Sequence, residues 1–226
     1  MAAPGWLSRS PTDVPAGVGW LGPRERAVHA ALQLPRRRAD WRLGRWTAKC
    51  ALAAWLGGAP DDVEVLAAAD GAPEAWCGRR RLPVVVSLSH RAGRAIAVVA
   101  DAPAALGCDL ELAEPRSDAF LREWLGEAER AQVAAAGDDG RTWLANLVWS
   151  AKEAGAKARR EGLRLDVRSA AVRVGRTPAA DGWAPLDVRW APNDGGGATP
   201  GWWRTEPHWV MAVAGEPAPA PPVRLD

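Results

Sequence analysis

Tyrosine is absent, phenylalanine occurs once, and only three of the 29 basic residues are lysine. Cysteine (three) and methionine (two) are scarce as well. No stretch approaches the ~20 consecutive apolar residues that a bilayer-spanning helix needs. Each shortage excludes something. Cys50, Cys77 and Cys108 are odd in number and lack C-x-x-C spacing, which fits neither a disulfide framework nor a zinc site. The opening segment MAAPGWLSRSPTDVPAG has no apolar core of the kind a secretory signal carries. Together these predict a reduced, cytoplasmic protein without membrane association. A net charge of +2 is too small to argue for nucleic acid.

Residues with A/T-rich codons are the rare ones, while Ala, Gly, Arg, Pro and 14 Trp abound. That is the imprint of a G+C-rich gene, not a set of aromatic cages. Lysine retained against such a background is informative. Two of the three, Lys152 and Lys157, stand on either side of Glu153 in WSAKEAGAK (149–157).

The 226 residues, 48% hydrophobic and 25% charged, have the composition of a soluble globular protein long enough for a substantial core. Two segments recur in the same order. LGPRERA (21–27) returns as LGEAERA (125–131), and WTAKCALA (46–53) returns as WSAKEAGA (149–156). Nearly equal offsets predict two related halves, 1–105 and 106–215, followed by a disordered tail at 216–226. Gly22 and Gly126, each followed three residues later by Glu25 or Glu129, read as helix starts. Longer helices are expected at about 39–56 and 141–160. Strands are expected at 63–68, 83–89, 95–100, 106–112, 167–174, 186–190 and 208–215, with a loop at 191–201. The predicted fold class is α+β, a pseudo-twofold duplication of two similar subdomains with an active site at their interface.

Chemistry concentrates in three places. Trp149, Glu153 and Lys157 are four apart and share one helical stripe, while Lys152 points about 100° away. The stripe reads either as a solvated ion pair or as part of a site. In GCDLEL, Asp109 and Glu111 project from one face of a strand. That is either an amphipathic exposed strand or two like charges sharing a cation. With Glu153 they make an all-oxygen set suited to Mg²⁺, with Mn²⁺ as an alternative. His90, preceded by Ser89 at the end of a β-type run, is either a surface turn residue or a phosphate contact.

Taken in order, SLSHRAG (87–93), GCDLE (107–111), WSAKEAGAK (149–157) and EGLRL (161–165) resemble the motifs of the 4′-phosphopantetheinyl transferases of the surfactin-synthetase-activating type. The resemblance covers residues 20 to 215. It implies a pseudo-twofold α+β enzyme that transfers the phosphopantetheine arm of coenzyme A to a serine of an acidic acyl or peptidyl carrier protein. It further implies metal binding by Asp109, Glu111 and Glu153, and coenzyme A contacts from Arg45, Lys49, Ser89, His90 and Lys152. Lys157 would lie beside the pyrophosphate, as a catalytic residue with Glu153, and the protein is expected to be a monomer. Two positions depart from the pattern: Ala72 replaces a basic residue, a gap that Arg79, Arg80 or Arg81 is expected to fill, and Gly155 replaces a bulky one. Rival functions are a coenzyme A or nucleotide-binding module without transfer, and a Mg²⁺-dependent phosphohydrolase.

Overall fold

The structure, a computed structural model, describes residues 3–161, 165–175 and 182–225. The G-L step at Gly162 and Leu163 lies outside the described residues. The fold is α+β. Strand β1 (Gly5–Arg9) precedes helices α1 (Pro23–Ala31) and α2 (Pro35–Leu56), and a small antiparallel sheet follows, formed by β2 (Glu64–Ala67), β3 (Pro73–Cys77) and β4 (Arg80–Arg81). The hairpin β5 (Val84–Arg91) and β6 (Arg94–Asp101) joins β1 in a second sheet. Ala92 and Gly93, both at positive φ, make its two-residue turn, so His90 lies within the strand and not at the bend.

The second half begins with β7 (Ala105–Leu112) and continues through α3 (Asp118–Trp124), α4 (Glu127–Ala135) and α5 (Gly137–Arg159). Strands β8 (Ala171–Val174), β9 (Ala184–Arg189), β10 (Ala198–Glu206) and β11 (Trp209–Glu216) complete a five-stranded antiparallel sheet in the order β7-β11-β10-β9-β8. Residues 198–201, expected as loop, begin β10; Val167–Ser169, expected as strand, form a single 3₁₀ turn.

Both expected helix starts are present. Gly22 N–H donates to Glu25 Oε2 at 3.0 Å, and Gly126 N–H donates to Glu129 Oε2 at 2.7 Å. The far oxygen of each glutamate reaches a strand: Glu25 Oε1 accepts from Val65 N and Glu129 Oε1 from Val172 N. Helices α1 and α4 are thereby each tied to a strand of their own half by one side chain.

The tail is not disordered. Val223–Arg224 form β12, parallel to β1, and Leu225 N–H donates to Trp6 O at 2.7 Å. Trp202 Nε1–H also holds Pro219 O at 2.9 Å. A free edge of β1 supplies the hydrogen-bond partners that the Pro-rich composition conceals. The chain end therefore returns from the second half to the first-half sheet, whose order is β12-β1-β6-β5.

Each half has an apolar core, and a third cluster joins them. Trp6, Ile96 and Val98 from the first sheet pack with Cys108, Leu110 and Met211 from the second. The halves thus meet through an apolar interior behind the cleft described next. No helix among the described residues is long and apolar enough to cross a membrane.

Candidate active site

Strands β5 and β7 come together at the seam, where serine hydroxyls bridge them. Ser87 and Ser89, two apart, extend from one face of β5. Ser87 Oγ accepts from Cys108 N at 2.9 Å, and Ser89 Oγ donates to Asp109 Oδ1 at 2.8 Å. Ser89, expected to meet coenzyme A, is buried and oriented toward Asp109.

Helix α5 lies across β7 at very close range. A Cβ on Gly107 would fall 2.0 Å from Ala154 O and 2.5 Å from Ala158 N, both backbone atoms. Only glycine lets the strand carrying Asp109 and Glu111 reach the helix carrying Glu153 and Lys157. Gly107→Ala should cost about 2–3 kcal/mol, the scale of overpacking against a contact that cannot swing away. Denaturant midpoints measure this, and an unchanged midpoint would show that the helix can retreat freely. Gly155 has a related explanation: a Cβ there would stand 3.0 Å from Trp190 Cζ2, so a tryptophan from the sheet occupies the space of the expected bulky side chain.

At this junction Lys157 Nζ donates to Asp109 Oδ1 at 2.7 Å and to Cys108 O at 3.1 Å. Burial opposes the Lys157 charge, but Asp109 and its other acceptors raise its pKa above the usual value. Asp109 Oδ2 is buried and has no hydrogen-bond partner. Glu111 is held at both oxygens, by Trp149 Nε1 at 3.0 Å and by Arg116 Nη2 at 2.8 Å, with Arg91 3.6 Å away. Half-buried Glu153 has its pKa raised by burial, with Lys157 opposing and the Asp109 and Glu111 charges adding to the rise. Burial and the Asp109 charge likewise raise Glu111, against Arg116 and Arg91. The three carboxylates are therefore electrostatic neighbours. Burial pushes the Cys108 thiol up to about 12, which removes it as a nucleophile.

Glu153 and Lys157 open onto a cavity of about 960 Å³ between the halves, whose walls also include Arg45, Trp149 and Arg160. Arg45 is half-buried; its Nε has no hydrogen-bond partner, and its guanidinium lies 5.0 Å from the Trp41 ring centroid. Burial pulls its pKa down, so the site holds a cation short of a counterion. His90 is exposed and packs near Gly44 of α2, the residue before Arg45, but does not line the cavity. Arg79, Arg80 and Arg81 do not line it either.

Lys49 and Lys152 depart from the ligand-contact role that the resemblance implied. Both are fully buried. Lys49 Nζ lies 2.9 Å from Glu25 Oε2 and Lys152 Nζ lies 2.7 Å from Glu129 Oε2, inside their own halves. Lys152 also donates to Trp124 O at 3.0 Å. Neither reaches the cavity, and each neutralises the glutamate that caps the preceding helix.

Among the described residues, no group of three or more His, Cys, Asp and Glu side chains is gathered so as to hold a metal ion. The expected triad is reduced in this arrangement because Arg116 and Trp149 occupy Glu111. The oxygens left over still suit Mg²⁺: orphaned Asp109 Oδ2 and the half-buried Glu153 carboxylate meet the one or two carboxylates that this ion takes beside phosphate and water. Arg116 and Trp149, the partners of Glu111, carried no role in the sequence. Trp149 was marked by its place on the Glu153 stripe, whereas Arg116 had no such signal.

Residues 105–185, from the start of β7 through α5 and into β9, match the profile of the 4′-phosphopantetheinyl transferase superfamily. The match supports that family for the stretch carrying Asp109, Glu111, Glu153 and Lys157. The superfamily comprises enzymes that use coenzyme A and act on carrier proteins. No curated protein matches the chain.

Proposed function

We propose that the protein transfers the 4′-phosphopantetheine arm of coenzyme A to a serine of an acidic acyl or peptidyl carrier protein, and that it is of the surfactin-synthetase-activating type. The observation that carries this reading is one junction. A buried carboxylate oxygen without a partner, a half-buried glutamate and a lysine ammonium meet beside a cavity that Arg45 lines from the other half. We take the two halves as a pseudo-twofold duplication in which the second keeps the chemistry. The protein is read as a cytoplasmic monomer, with the exposed Arg36, Arg37, Arg79 and Arg80 available to an acidic carrier.

In the reaction, the carrier serine oxygen bonds to the phosphorus that bears the pantetheine arm. The bridging P–O bond of the pyrophosphate breaks, and adenosine 3′,5′-bisphosphate leaves with its electron pair. Glu153 takes the serine proton, directly or through one water, and its raised pKa makes it a better base near neutrality. Lys157 extends from the same helical stripe and places a compact ammonium on a pyrophosphate oxygen, while Asp109 and Ser89 fix its neighbourhood. Asp109 through Oδ2 and Glu153 would hold Mg²⁺, and Glu111 would join them on releasing Trp149 or Arg116. When bound, the ion neutralises charge on the pyrophosphate and leaving group.

Lys157→Arg tests the lysine. A planar fork in place of a point charge displaces either the phosphate or Asp109. We expect kcat to fall about 10–100-fold, the effect of a misplacement near 1 Å, while the melting temperature holds. Turnover near that of the parent would show that any cation suffices.

The function is tested by incubating the protein with coenzyme A, Mg²⁺ and an apo-carrier, then weighing the carrier by mass spectrometry. A gain of one phosphopantetheine arm is expected. Release of bisphosphate without labelling would indicate hydrolysis, and coenzyme A binding without either product would indicate a binding module; both contradict the proposal.

A further inference from the structure

The chain's one phenylalanine, Phe120 in α3, is the hub of a rigid group around Glu111. Ser117 caps α3 by accepting from Phe120 N at 3.2 Å, and Arg116 is the residue just before that cap. The Phe120 ring stands edge-on to Trp149, with centroids 5.4 Å apart, and its centroid lies 4.7 Å from the Arg116 guanidinium carbon. Arg116 Nε also donates to Asn146 Oδ1 at 2.7 Å. Asn146 is fully buried and is fixed in turn, its Nδ2 donating to Glu114 O at 2.8 Å and to Thr142 O at 2.7 Å. Both partners of Glu111 are therefore anchored by contacts that do not depend on it.

A hydrogen bond to a ligating carboxylate ordinarily orients it and favours the metal. The arrangement at Glu111 opposes one instead. Oε1 accepts the Trp149 indole N–H, Oε2 accepts the Arg116 guanidinium, and Arg91 Nε lies 3.6 Å from Oε2. A divalent ion at this carboxylate would approach a fixed positive charge whose side chain is only 14% exposed, where water screens little. If Glu111 left for the metal, Arg116 would lose its neutralising partner, and breaking a largely buried pair is expensive. Glu114 is no substitute, since it lies 3.9 Å from Arg116 Nη1 and is already paired with Arg91. Asp109 Oδ2, by contrast, has no partner, and Glu153 opens onto the cavity.

We infer that Arg116 is a positioning residue that withholds Glu111 from the divalent ion. It divides three neighbouring carboxylates into an internal ion pair and a two-carboxylate metal site, and so sets how much Mg²⁺ the protein needs. This rests on the proposed reading of the junction as the metal site of a transferase.

The test titrates Mn²⁺, standing in for Mg²⁺, into the protein without coenzyme A and counts the free ion by electron paramagnetic resonance. Arg116→Met should bind Mn²⁺ about tenfold more tightly than the parent, because Glu111 becomes a third ligand. Adding Glu111→Gln to that variant should erase the gain. Without metal, Arg116→Met should melt lower, since Glu111 has lost its counter-charge, and Mn²⁺ should raise its melting temperature more than it raises the parent's. Arg116→Gln, which removes the charge but keeps an N–H donor, should also tighten Mn²⁺ binding and serves if the methionine variant does not fold. Unchanged or weaker binding in these variants would mean that Arg116 orients Glu111 toward the metal. A gain that survives Glu111→Gln would trace it to the lost charge alone. Either result overturns the inference, and the transferase reading stands as long as the parent labels its carrier. A parent that labels no carrier would overturn that reading whatever the Mn²⁺ constants show.

Discussion

Glutamine in place of Glu153 should cut carrier labelling about a thousandfold and, at neutral pH, make the protein more stable. The first effect follows from removing the proton acceptor together with one of the two least committed carboxylates at the junction; general-base losses alone span about 10²–10⁴. The second follows from the direction of the pKa shift. Burial, with Asp109 and Glu111 nearby, raises Glu153 in the folded state despite Lys157. A carboxyl raised on folding contributes stability below its unfolded pKa, and that contribution is lost as pH climbs through the folded value. At pH 7 the ionised group thus weighs against the fold, and a neutral amide removes the burden. The gain appears as a higher melting temperature at neutral pH. The gain should shrink toward pH 4, where the native carboxyl is protonated. Calorimetric melts of both proteins across that range check it. A variant less stable at pH 7 would mean that Glu153 serves the fold and not the chemistry.

Lys152→Met should do the reverse, harming the fold and sparing the site. Its ammonium is fully buried against Glu129, which also caps α4 and holds Val172 N. Removing the cation leaves a buried carboxylate without a counter-charge, which costs about 3–5 kcal/mol. Adding Glu129→Gln should recover most of that loss, because the amide oxygen still accepts a backbone N–H and no buried charge remains. The KM for coenzyme A should stay within about twofold of the parent at a temperature where the variant is folded. A melting temperature left unchanged with a tenfold rise in KM would return Lys152 to the ligand-contact role implied by the motif.

These two residues show what the sequence discloses and what it hides. Glu153 and Lys157 were legible because i,i+4 spacing alone puts them on one stripe, and Asp109 and Glu111 because alternation along a strand does the same. The pairing of Lys152 stayed hidden because its partner is 23 positions away and belongs to another helix. The repeated segments hold the missing signal. Glu25 with Lys49 and Glu129 with Lys152 occur in both halves and make the same buried pair. Glu153 and Lys157 have counterparts Cys50 and Ala54, which carry no such charges. What both halves keep is architecture; what one half alone carries is available for chemistry.

The fold divides in the same way. Helix starts at Gly22 and Gly126 depend on a glutamate three residues away, so local sequence suffices. Strands β10 and β12 depend on distant edges. Pro200 and Gly201 read as loop, but β9 and β11 lie on either side and draw the segment into the ladder. The tail after Glu216 reads as disordered until β1 offers it an edge. Arg116 was equally silent, since nothing local to RSDAF announces that its guanidinium will hold Glu111.

The central claim is that Asp109 and Glu153 share one divalent ion at the wall of the coenzyme A cavity. Crystals grown with coenzyme A and Mn²⁺ in place of Mg²⁺ test it by locating the metal through its anomalous scattering. One peak at coordination distance, about 2.1–2.2 Å, from both Asp109 Oδ2 and a Glu153 oxygen, with pyrophosphate oxygens completing the shell, is the predicted result. Coenzyme A in the cavity with manganese absent from those two carboxylates, or bound to surface acids instead, would contradict it.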